Sequence, residues 1–364
     1  MKKSKKRILI VSNMYPSEKY PHYGVFVQNT AEVLRSKGFA VDVVAKTKQT
    51  GRFDKILGYI HFYTRIILKG LCKHYDVVYG HYASHTALPL LLLNKIRKRK
   101  LIINVHGNDL VPETENDEKY MPLVRNLLIK ADAVICPSEY FRGIVVDQFH
   151  VSEEKTLVYP SGGVDINIFR KIPKEQAAQE LRLETDCRYI GYISRLEEKK
   201  GWDLFLEAAA MLKKKDPSSK FIVVGDGDQA ESFIRKVAAL GLEQDIEKFP
   251  LLSQKKIAAV FNMLDVFVFP TYRKSESLGL VGLEAMACRI PVVLPDQYGP
   301  SSYGVDGENA FMFRSGDAQS LFCAIESALQ GDNMLLTENA YKTALQYTHE
   351  ATSAIICDFF ERLC

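Results

Sequence analysis

Residues 266–295 read VFVFPTYRKSESLGLVGLEAMACRIPVVLP and hold two glutamates, Glu276 and Glu284, eight positions apart. The stretch opens with an apolar run stopped by a proline, which predicts a short buried strand. The helix formers that follow Gly279 predict a helix that begins there. Glu276 therefore lies in the loop before this helix and Glu284 two turns inside it, and eight helical steps rise about 12 Å.

This spacing suits a nucleoside diphosphate sugar, which has hydroxyl-rich ends on either side of a dianionic diphosphate. One carboxylate can hold the sugar hydroxyls and the other the ribose hydroxyls. The unpaired backbone amides near Gly279 and Leu280 then face the phosphates, because the amino terminus of a helix favours negative charge. The sequence thus predicts a donor site at this turn.

The stretch resembles the E-x7-E element of retaining glycosyltransferases of family 4, the glycosyl transferases of group 1, of the bacterial surface-polysaccharide type. Other stretches match the same family: GYISRLEEKKG at 191–201, FIVVGDGD at 221–228, HGND at 106–109 and the opening segment 12–45. The resemblance implies an α/β protein of the GT-B fold. That fold has two facing Rossmann-like domains with parallel sheets and a deep cleft between the domains.

The alternation of apolar runs and helical patterns predicts two parallel sheets covered by helices. We expect an N-terminal, acceptor-binding domain over residues 1–170 and a C-terminal, nucleotide-sugar-binding domain over residues 171–350. The resemblance implies that the last helix, residues 351–364, returns to the first domain.

Composition agrees with this organisation. The chain has 364 residues, of which 47% are hydrophobic and 25% charged, as in globular proteins with two domains of ordinary size. Its apolar runs are shorter than a membrane span, and no signal peptide is recognisable. The seven cysteines form no C-x-x-C pair, which favours reduced thiols. We expect a cytoplasmic protein.

Charge is concentrated in the first 100 residues, which hold 20 Lys and Arg against 5 Asp and Glu. Part of it lies in residues 55–73, where apolar residues recur at helical spacing between basic ones. Such a helix suits an anionic membrane surface, so the protein would lie peripherally on the inner face of the cell membrane. The alternative is a core-facing helix with a solvated basic face. Nucleic acid is not an expected partner, because no binding motif accompanies the charge.

Arg195 and Lys200 follow a predicted strand and match the family element. A guanidinium and an ammonium there stabilise the negative charge on a departing diphosphate. A solvated charged loop is the alternative. The resemblance also implies that His106 faces the transferred sugar and that Glu276 orients it. The predicted catalytic residues are therefore Arg195, Lys200, Glu276 and His106.

Gly24 precedes a predicted helix and is a candidate phosphate contact, although a simple turn glycine would serve equally. The predicted donor-binding residues are Gly24, Gly225, Gly227, Ser277, Leu278, Gly279, Leu280 and Glu284. The acceptor candidates are loop residues with structural alternatives: Tyr15, His22, His81 and Asp109. Asp226 and Asp228 form a D-x-D that closes a G-D-G, so we expect no catalytic metal and no cofactor beyond the nucleotide-sugar co-substrate.

The implied activity is retaining, metal-independent transfer from a UDP- or GDP-sugar to a hydroxyl of a lipid-linked glycan in polysaccharide biosynthesis. A nucleotide-sugar epimerase is one alternative, and a nicotinamide oxidoreductase is disfavoured by the missing G-x-G-x-x-G. The other alternative is a non-catalytic partner subunit. It is motivated by departures from the family pattern at Ser277, Leu278, Arg289 and Ser301.

Overall fold

The computed structural model describes residues 6–21 and 23–363, and the chain folds into two compact units. The first unit ends at Gly162 and takes in the chain again from Thr352. The second unit spans Gly163–Ala351. The division lies earlier than the expected boundary at residues 170 and 171, because Val164 and Phe169 are buried in the core of the second unit.

The described residues of the first unit form a six-stranded parallel sheet with the order β2-β1-β3-β4-β5-β6. The strands are β1 Arg7–Ser12, β2 Ala40–Ala45, β3 Val77–His81, β4 Lys100–Asn104, β5 Ala133–Cys136 and β6 Thr156–Val158. The helices are α1 Val25–Ser36, α2 Arg52–Cys72, α3 Ala83–Ile96, α4 Glu115–Glu118, α5 Met121–Lys130 and α6 Glu139–Asp147.

The second unit repeats this architecture with a six-stranded parallel sheet of order β12-β11-β10-β7-β8-β9. Its strands are β7 Tyr189–Ile193, β8 Lys220–Val224, β9 Ile246–Phe249, β10 Val266–Val268, β11 Val292–Pro295 and β12 Phe311–Phe313. Its helices are α7 Lys174–Leu181, α8 Trp202–Lys215, α9 Ala230–Leu240, α10 Gln254–Met263, α11 Leu280–Ala287, α12 Ala318–Gln330 and α13 Met334–Leu345.

The central strands are apolar on both faces because helices cover both sides of each sheet. Strand β1 is buried from Ile8 onward, and β7 is buried along its whole length. The last helix, α14 His349–Leu363, buries Ile356 and Phe360 in the same core as Ile8 of β1. The predicted fold class is confirmed: each unit is Rossmann-like.

In both sheets the strand order reverses beside the first strand. The chain leaves β1 for β2 on one side and continues to β3 on the other, and β10 likewise lies beside β7 opposite β8. Open parallel sheets bind ligands outside the carboxyl ends of the strands at such a reversal. A ligand-binding site is therefore expected at the loops after β1 and β3 and at those after β7 and β10.

Helix α2 presents apolar residues both to the core and to solvent. Phe62 and Ile66 are buried in the core, whereas Ile56 and Ile60 are 54% and 57% exposed. The helix thus has a second apolar face that the core does not cover. Among the described residues, no helix combines the length and apolarity that crossing a membrane requires.

Candidate functional site

The loops after β7 and β10 place Lys200 against Glu276. Lys200 Nζ lies 2.7 Å from Glu276 Oε2, and the two side chains are only 10% and 12% exposed. The Thr271 hydroxyl donates to the same carboxylate oxygen at 3.2 Å. Burial alone would raise the pKa of Glu276, but Lys200, Arg273 and Thr271 outweigh it and hold that pKa below its usual value. Glu276 is therefore a carboxylate kept ionised in a mostly dry setting.

The backbone around Lys200 explains how it reaches this position. Lys199 and Gly201 both have positive φ, 62° and 81°. The Lys199 carbonyl accepts from Tyr272 N at 3.0 Å, which ties this loop to the segment after β10. A Cβ at Gly201 would lie 1.9 Å from the Pro270 carbonyl oxygen, so only glycine permits this approach.

Arg195 lies on the same loop but faces solvent, with its side chain 58% exposed. Its guanidinium hydrogen-bonds the Glu197 carboxylate, whose other oxygen lies 3.5 Å from Arg273 Nη1. Arg273 also donates through Nε to Ser275 at 3.0 Å. The structure thus adds Arg273 and Glu197 to the site. Sequence reasoning missed both, although Arg273 lies only three positions before Glu276.

Glu284 differs from Glu276 in its partners and in the direction in which its pKa is shifted. It lies in the second turn of α11, and its carboxylate makes no hydrogen bond or ion pair with the described residues. Burial raises its pKa from 4.5 to about 8. An acid of that pKa, lacking a protein partner, is ready to bond a hydroxyl-bearing ligand.

Within the described residues the amino terminus of α11 carries no side-chain cap, so the N–H groups of Leu280 and Val281 are open to an anion, whereas Gly282 N donates to the Gly279 carbonyl at 3.0 Å. Gly279 adopts φ 81°, and a Cβ there would lie 2.6 Å from the Phe269 ring. Leu278 is buried in the core, whereas Ser277 and Leu280 are half-buried. Because the Leu278 side chain packs in the core, the part of this residue that is open to a donor is its backbone.

Gly225 and Gly227 have a structural explanation. A Cβ on Gly225 would lie 1.9 Å from the Ser194 carbonyl oxygen, and one on Gly227 would lie 2.3 Å from that of Leu196. The glycines let the loop after β8 lie directly on the loop that carries Arg195. They position that loop, whatever else they contact.

The Asp226 carboxylate accepts from Gly227 N at 2.8 Å, and Asp226 and Asp228 are both exposed. Within residues 6–21 and 23–363, only Glu184, Asp186 and Cys187 bring three possible metal-ligand atoms within 4.8 Å of one another. The D-x-D is not part of that group.

Two departures from the family pattern lie nearby. Arg289, where glycine is common in the family, has φ 60°. This left-handed conformation is unfavourable for residue types other than glycine. Its guanidinium pairs with Glu338 and stacks 4.0 Å from the Tyr341 ring centroid. The exposed Ser301 donates to the Tyr298 carbonyl at 2.8 Å. Neither residue contacts Lys200 or Glu276.

In the first unit, His81 at the end of β3 meets His106 after β4. His81 Nδ1 lies 3.1 Å from His106 Nε2, and the rings are nearly parallel. Burial lowers the pKa of His106 to about 3, and burial together with His106 lowers the pKa of His81 well below its usual value. Both imidazoles are therefore neutral near pH 7. The buried His81 Nε2 has no partner among the described residues.

Asp109 does not have the free carboxylate expected of an acceptor ligand. It is 1% exposed, and one oxygen accepts from His106 N and Gly107 N at 2.9 and 2.8 Å. The other accepts from Ala83 N at 2.8 Å at the start of α3. These three bonds orient the loop that carries His106, so they favour the structural alternative for Asp109 over direct contact with an acceptor.

The loop after β1 brings Tyr15 to the helix start at Gly24. Gly24 has φ 78°, and a Cβ there would lie 2.7 Å from Tyr15 N. The backbone therefore requires glycine at this position, and the uncapped start of α1 follows it. Tyr15 is half-buried. His22, another acceptor candidate, lies outside the described residues.

Two further aromatic side chains, those of Tyr82 and Phe26, contact His106, and sequence reasoning missed Phe26. Tyr82 has φ 65° at the start of α3, and its ring stacks on His106 at 5.2 Å. The centroid of the Phe26 ring lies 4.6 Å from that of the His106 ring, and the two rings are tilted. Strain of this kind in a tyrosine persists only where the surroundings enforce it, often at functional sites. No periodic pattern announces such a residue.

Comparison with known proteins identifies the family. The model "Glycosyl transferases group 1" matches residues 173–344, and "Glycosyltransferase Family 4" matches residues 24–167. The chain belongs to the group 1 glycosyltransferases. As a glycosyltransferase, it is an enzyme that transfers a sugar from a nucleotide-sugar donor.

Relatives and solved structures agree with that assignment. D-inositol 3-phosphate glycosyltransferase of Segniliparus rotundus is 23% identical over 74% of this chain and 68% of the relative. A Mycolicibacterium smegmatis protein, GDP-mannose-dependent alpha-(1-6)-phosphatidylinositol monomannoside mannosyltransferase, is 26% identical over 72% and 70%. Sucrose-phosphate synthase from Thermosynechococcus elongatus aligns over 99% of both chains with TM-score 0.81 and 19% identity.

The Anabaena protein HepE, solved in complex with UDP, aligns over 98% of this chain and 100% of its own, with TM-score 0.77 and 20% identity. At these identities the structural likeness shows the fold alone. The GT-B fold of this chain is thereby confirmed.

Proposed function

We propose that this glycosyltransferase transfers a sugar, with retention of anomeric configuration and without a metal ion, from a UDP- or GDP-sugar to a lipid-linked glycan. The observation that carries the proposal is the arrangement around α11. An ionised Glu276 is held by Lys200 before the helix, unpaired N–H groups open its first turn, and an unpartnered Glu284 follows one turn later.

Each group has a role that its surroundings favour. The Glu276 carboxylate can only accept hydrogen bonds, so it suits the hydroxyls of the transferred sugar. The amides at the start of α11 suit the diphosphate. Glu284 bonds the ribose, whose hydroxyl donors favour its ionised form. A uracil or a guanine base fits this scheme equally.

The proposed chemistry needs no enzymic nucleophile. The acceptor oxygen forms its bond to the anomeric carbon on the face from which the nucleoside diphosphate leaves, as the anomeric carbon–oxygen bond breaks. The acceptor proton passes to a phosphate oxygen of the leaving group. Arg195 and Lys200 stabilise the charge that develops there, which is where preorganised cations lower a barrier most. The neutral His106 offers hydrogen bonds without adding charge.

The acceptor class rests on charge and on relatives. By its printed name, the M. smegmatis relative acts on a phosphatidylinositol mannoside, a glycan carried on lipid. The first 100 residues of this chain hold 20 Lys and Arg against 5 Asp and Glu, which favours an anionic surface. We infer a cytoplasmic enzyme that lies peripherally on the inner face of the membrane and serves polysaccharide biosynthesis.

A donor-hydrolysis panel tests the proposal. UDP- and GDP-linked hexoses and N-acetylhexosamines are incubated with the enzyme in excess chelator, and released nucleoside diphosphate and free sugar are measured. One donor should be hydrolysed in preference to the rest, and NMR should show the initial sugar product in the donor's anomeric configuration. Inverted product would contradict retention, and activity that requires an added divalent ion would contradict metal independence. Interconversion of nucleotide sugars without release would indicate an epimerase.

A further inference from the structure

Exposed large apolar side chains are concentrated on α2 and α3 of the first unit. Those more than 40% exposed on these helices are Phe53, Ile56, Leu57, Ile60, Leu68, Leu88, Leu92 and Ile96. The rest of the described chain shows such residues singly or as the adjacent pair Met334 and Leu335. Isolated exposed apolar residues need no explanation, but a contiguous set marks an interaction surface.

On α2 the exposed residues follow helical spacing. Phe53, Ile56, Leu57 and Ile60 recur at intervals of three and four, so they share one face. Phe62 and Ile66, on the other side, are 1% and 0% exposed in the core. Helix α2 is thus apolar on two faces, and folding of the unit uses only one.

Helix α3 extends the same surface. Leu88, Leu92 and Ile96 recur every four residues and form one exposed ridge. An apolar groove of about 330 Å³ between the helices is lined by Thr64 and Leu68 of α2 and by Leu88 and Leu92 of α3. We call this exposed set, Phe53 to Leu68 on α2 with Leu88 to Ile96 on α3, the α2–α3 face.

Basic side chains border the α2–α3 face. Arg65, three positions before Leu68 on α2, and Lys95, next to Ile96 on α3, are both exposed. Lys19 and Lys48 line a groove beside Leu57, together with Asp54 and His61. Lys69 and Lys73 point elsewhere, since their ammonium groups lie 3.8 and 3.4 Å from Asp42 of β2. The apolar side chains complement the acyl chains of an anionic lipid surface, and the bordering cations complement its headgroups.

We propose that the α2–α3 face docks onto an anionic lipid bilayer, with its apolar side chains entering the boundary between headgroups and acyl chains. This inference deepens the proposed function, on which it rests for the choice of a membrane partner. It differs from attraction by charge alone in one respect. Apolar insertion persists when salt screens the charges, whereas purely electrostatic binding is lost.

Vesicle co-sedimentation tests the proposal. Vesicles of phosphatidylcholine with and without phosphatidylglycerol are used at 0.1 M and 1 M salt, where the Debye length is about 10 Å and 3 Å. Wild type should bind the anionic vesicles at 0.1 M salt and keep part of that binding at 1 M. Ile56→Ser/Ile60→Ser should reduce partitioning at least about tenfold, because it removes two inserted side chains.

The matched control is Met334→Ser/Leu335→Ser, which removes an exposed apolar pair from the second unit and should bind like wild type. Urea unfolding and hydrolysis of soluble donor should be unchanged in both variants, so a failure of docking is distinguishable from a failure of the proposed reaction. Equal vesicle binding by wild type and Ile56→Ser/Ile60→Ser, or complete release of wild type at 1 M salt, would overturn the proposal. So would a lipid-free dimer that this variant dissociates, since a second copy would then cover the face.

Discussion

The polar groups at the carboxyl ends of the two sheets differ in charge: an ion pair lies at one end and two neutral imidazoles lie at the other. In the second unit, the Glu276 carboxylate is kept ionised and pairs with Lys200 at 2.7 Å. In the first unit, His81 and His106 contact each other as neutral rings, and Asp109 is saturated by backbone N–H groups. Both sets lie beside the strand reversal of their sheet, so topology does not explain the difference.

The difference follows from what each edge is proposed to bind. A nucleoside diphosphate carries charge that increases as it leaves, and only ionised groups can balance it. An acceptor hydroxyl is neutral, so charge next to it gains little, whereas oriented neutral donors and acceptors fix its position. Under the proposed function, two similar sheets therefore separate charge stabilisation from positioning.

The largest expected effect comes from breaking the ion pair. In Lys200→Met, Glu276 loses its counter-charge and remains buried, which for one partner of a buried pair costs roughly 3–5 kcal/mol of stability. The pKa of Glu276 should rise, because burial is then opposed only by Arg273 and Thr271. Urea unfolding measures the stability loss.

The double variant Lys200→Met/Glu276→Gln is the control. It removes both charges, so it should recover most of the stability lost in Lys200→Met while remaining inactive. If the single and double variants are equally unstable, the pair does not behave as a buried ion pair and the contrast between the two edges loses its main support.

Arg195→Ala should separate catalysis from stability. The side chain is 58% exposed and its bond to Glu197 is a surface contact, so unfolding should shift little. The activation free energy of turnover should rise by about 2–4 kcal/mol, as when one preorganised donor to a developing anion is lost. Steady-state kinetics with the preferred donor measures this, and near-normal kcat in the folded variant would remove Arg195 from the mechanism.

Glu284→Gln should weaken binding of the free nucleoside diphosphate by roughly 1.5–3 kcal/mol, the range for a hydrogen bond to a charged group. Since the pKa of Glu284 is about 8, wild type should release a proton on binding at pH 7 as the ribose hydroxyls favour the ionised form. Calorimetry in buffers of different ionisation enthalpy detects that proton. Glu276→Gln should retain the release, and its loss in that variant instead would exchange the two assignments.

The two edges should also respond to pH with opposite sign. His106 has its pKa lowered from 6.5 to about 3, so its contribution to stability is present above pH 6.5 and lost as pH falls towards 3. Glu284 has its pKa raised from 4.5 to about 8, so stability falls as pH rises between those values. Urea midpoints of wild type, His106→Gln and Glu284→Gln across pH 4–9 resolve the two. A wild-type imidazole NMR titration of His106 near pH 6.5 would contradict its neutral state.

Much of the fold follows from local pattern. The apolar runs located the strands, and the helices after Gly24 and Gly279 begin where the glycines indicated. Those signals are local, because buried strands and helix starts are written in consecutive residues. Lys200 and Glu276 are 76 residues apart in sequence, and only the family resemblance suggested that both belong to one site.

The rest depended on contacts that no pattern records. The exposed face of α2 could not be separated from its buried face, because both are apolar at helical spacing. Asp109 was predicted as an acceptor ligand from its place in the sequence, but its oxygens accept hydrogen bonds from three backbone N–H groups. Arg273 helps to lower the pKa of Glu276, and Tyr82 stacks on His106 from a strained backbone conformation. A sequence displays neither feature.

The smallest expected effect is a control for charge in the second unit. Arg289→Gly removes a surface pair with Glu338, in which the two side chains are 38% and 41% exposed and which contributes about 0–1 kcal/mol. It also removes the contact with the Tyr341 ring, which contributes about 0.5–1 kcal/mol. Glycine also relieves the left-handed backbone at φ 60°, which stabilises by an amount of the same order. These opposing changes should nearly cancel, leaving a shift below about 1 kcal/mol in urea unfolding and unchanged kcat. A large loss of turnover here would mean that charge anywhere in the second unit supports catalysis, and the distinction drawn for its sheet edge would fail.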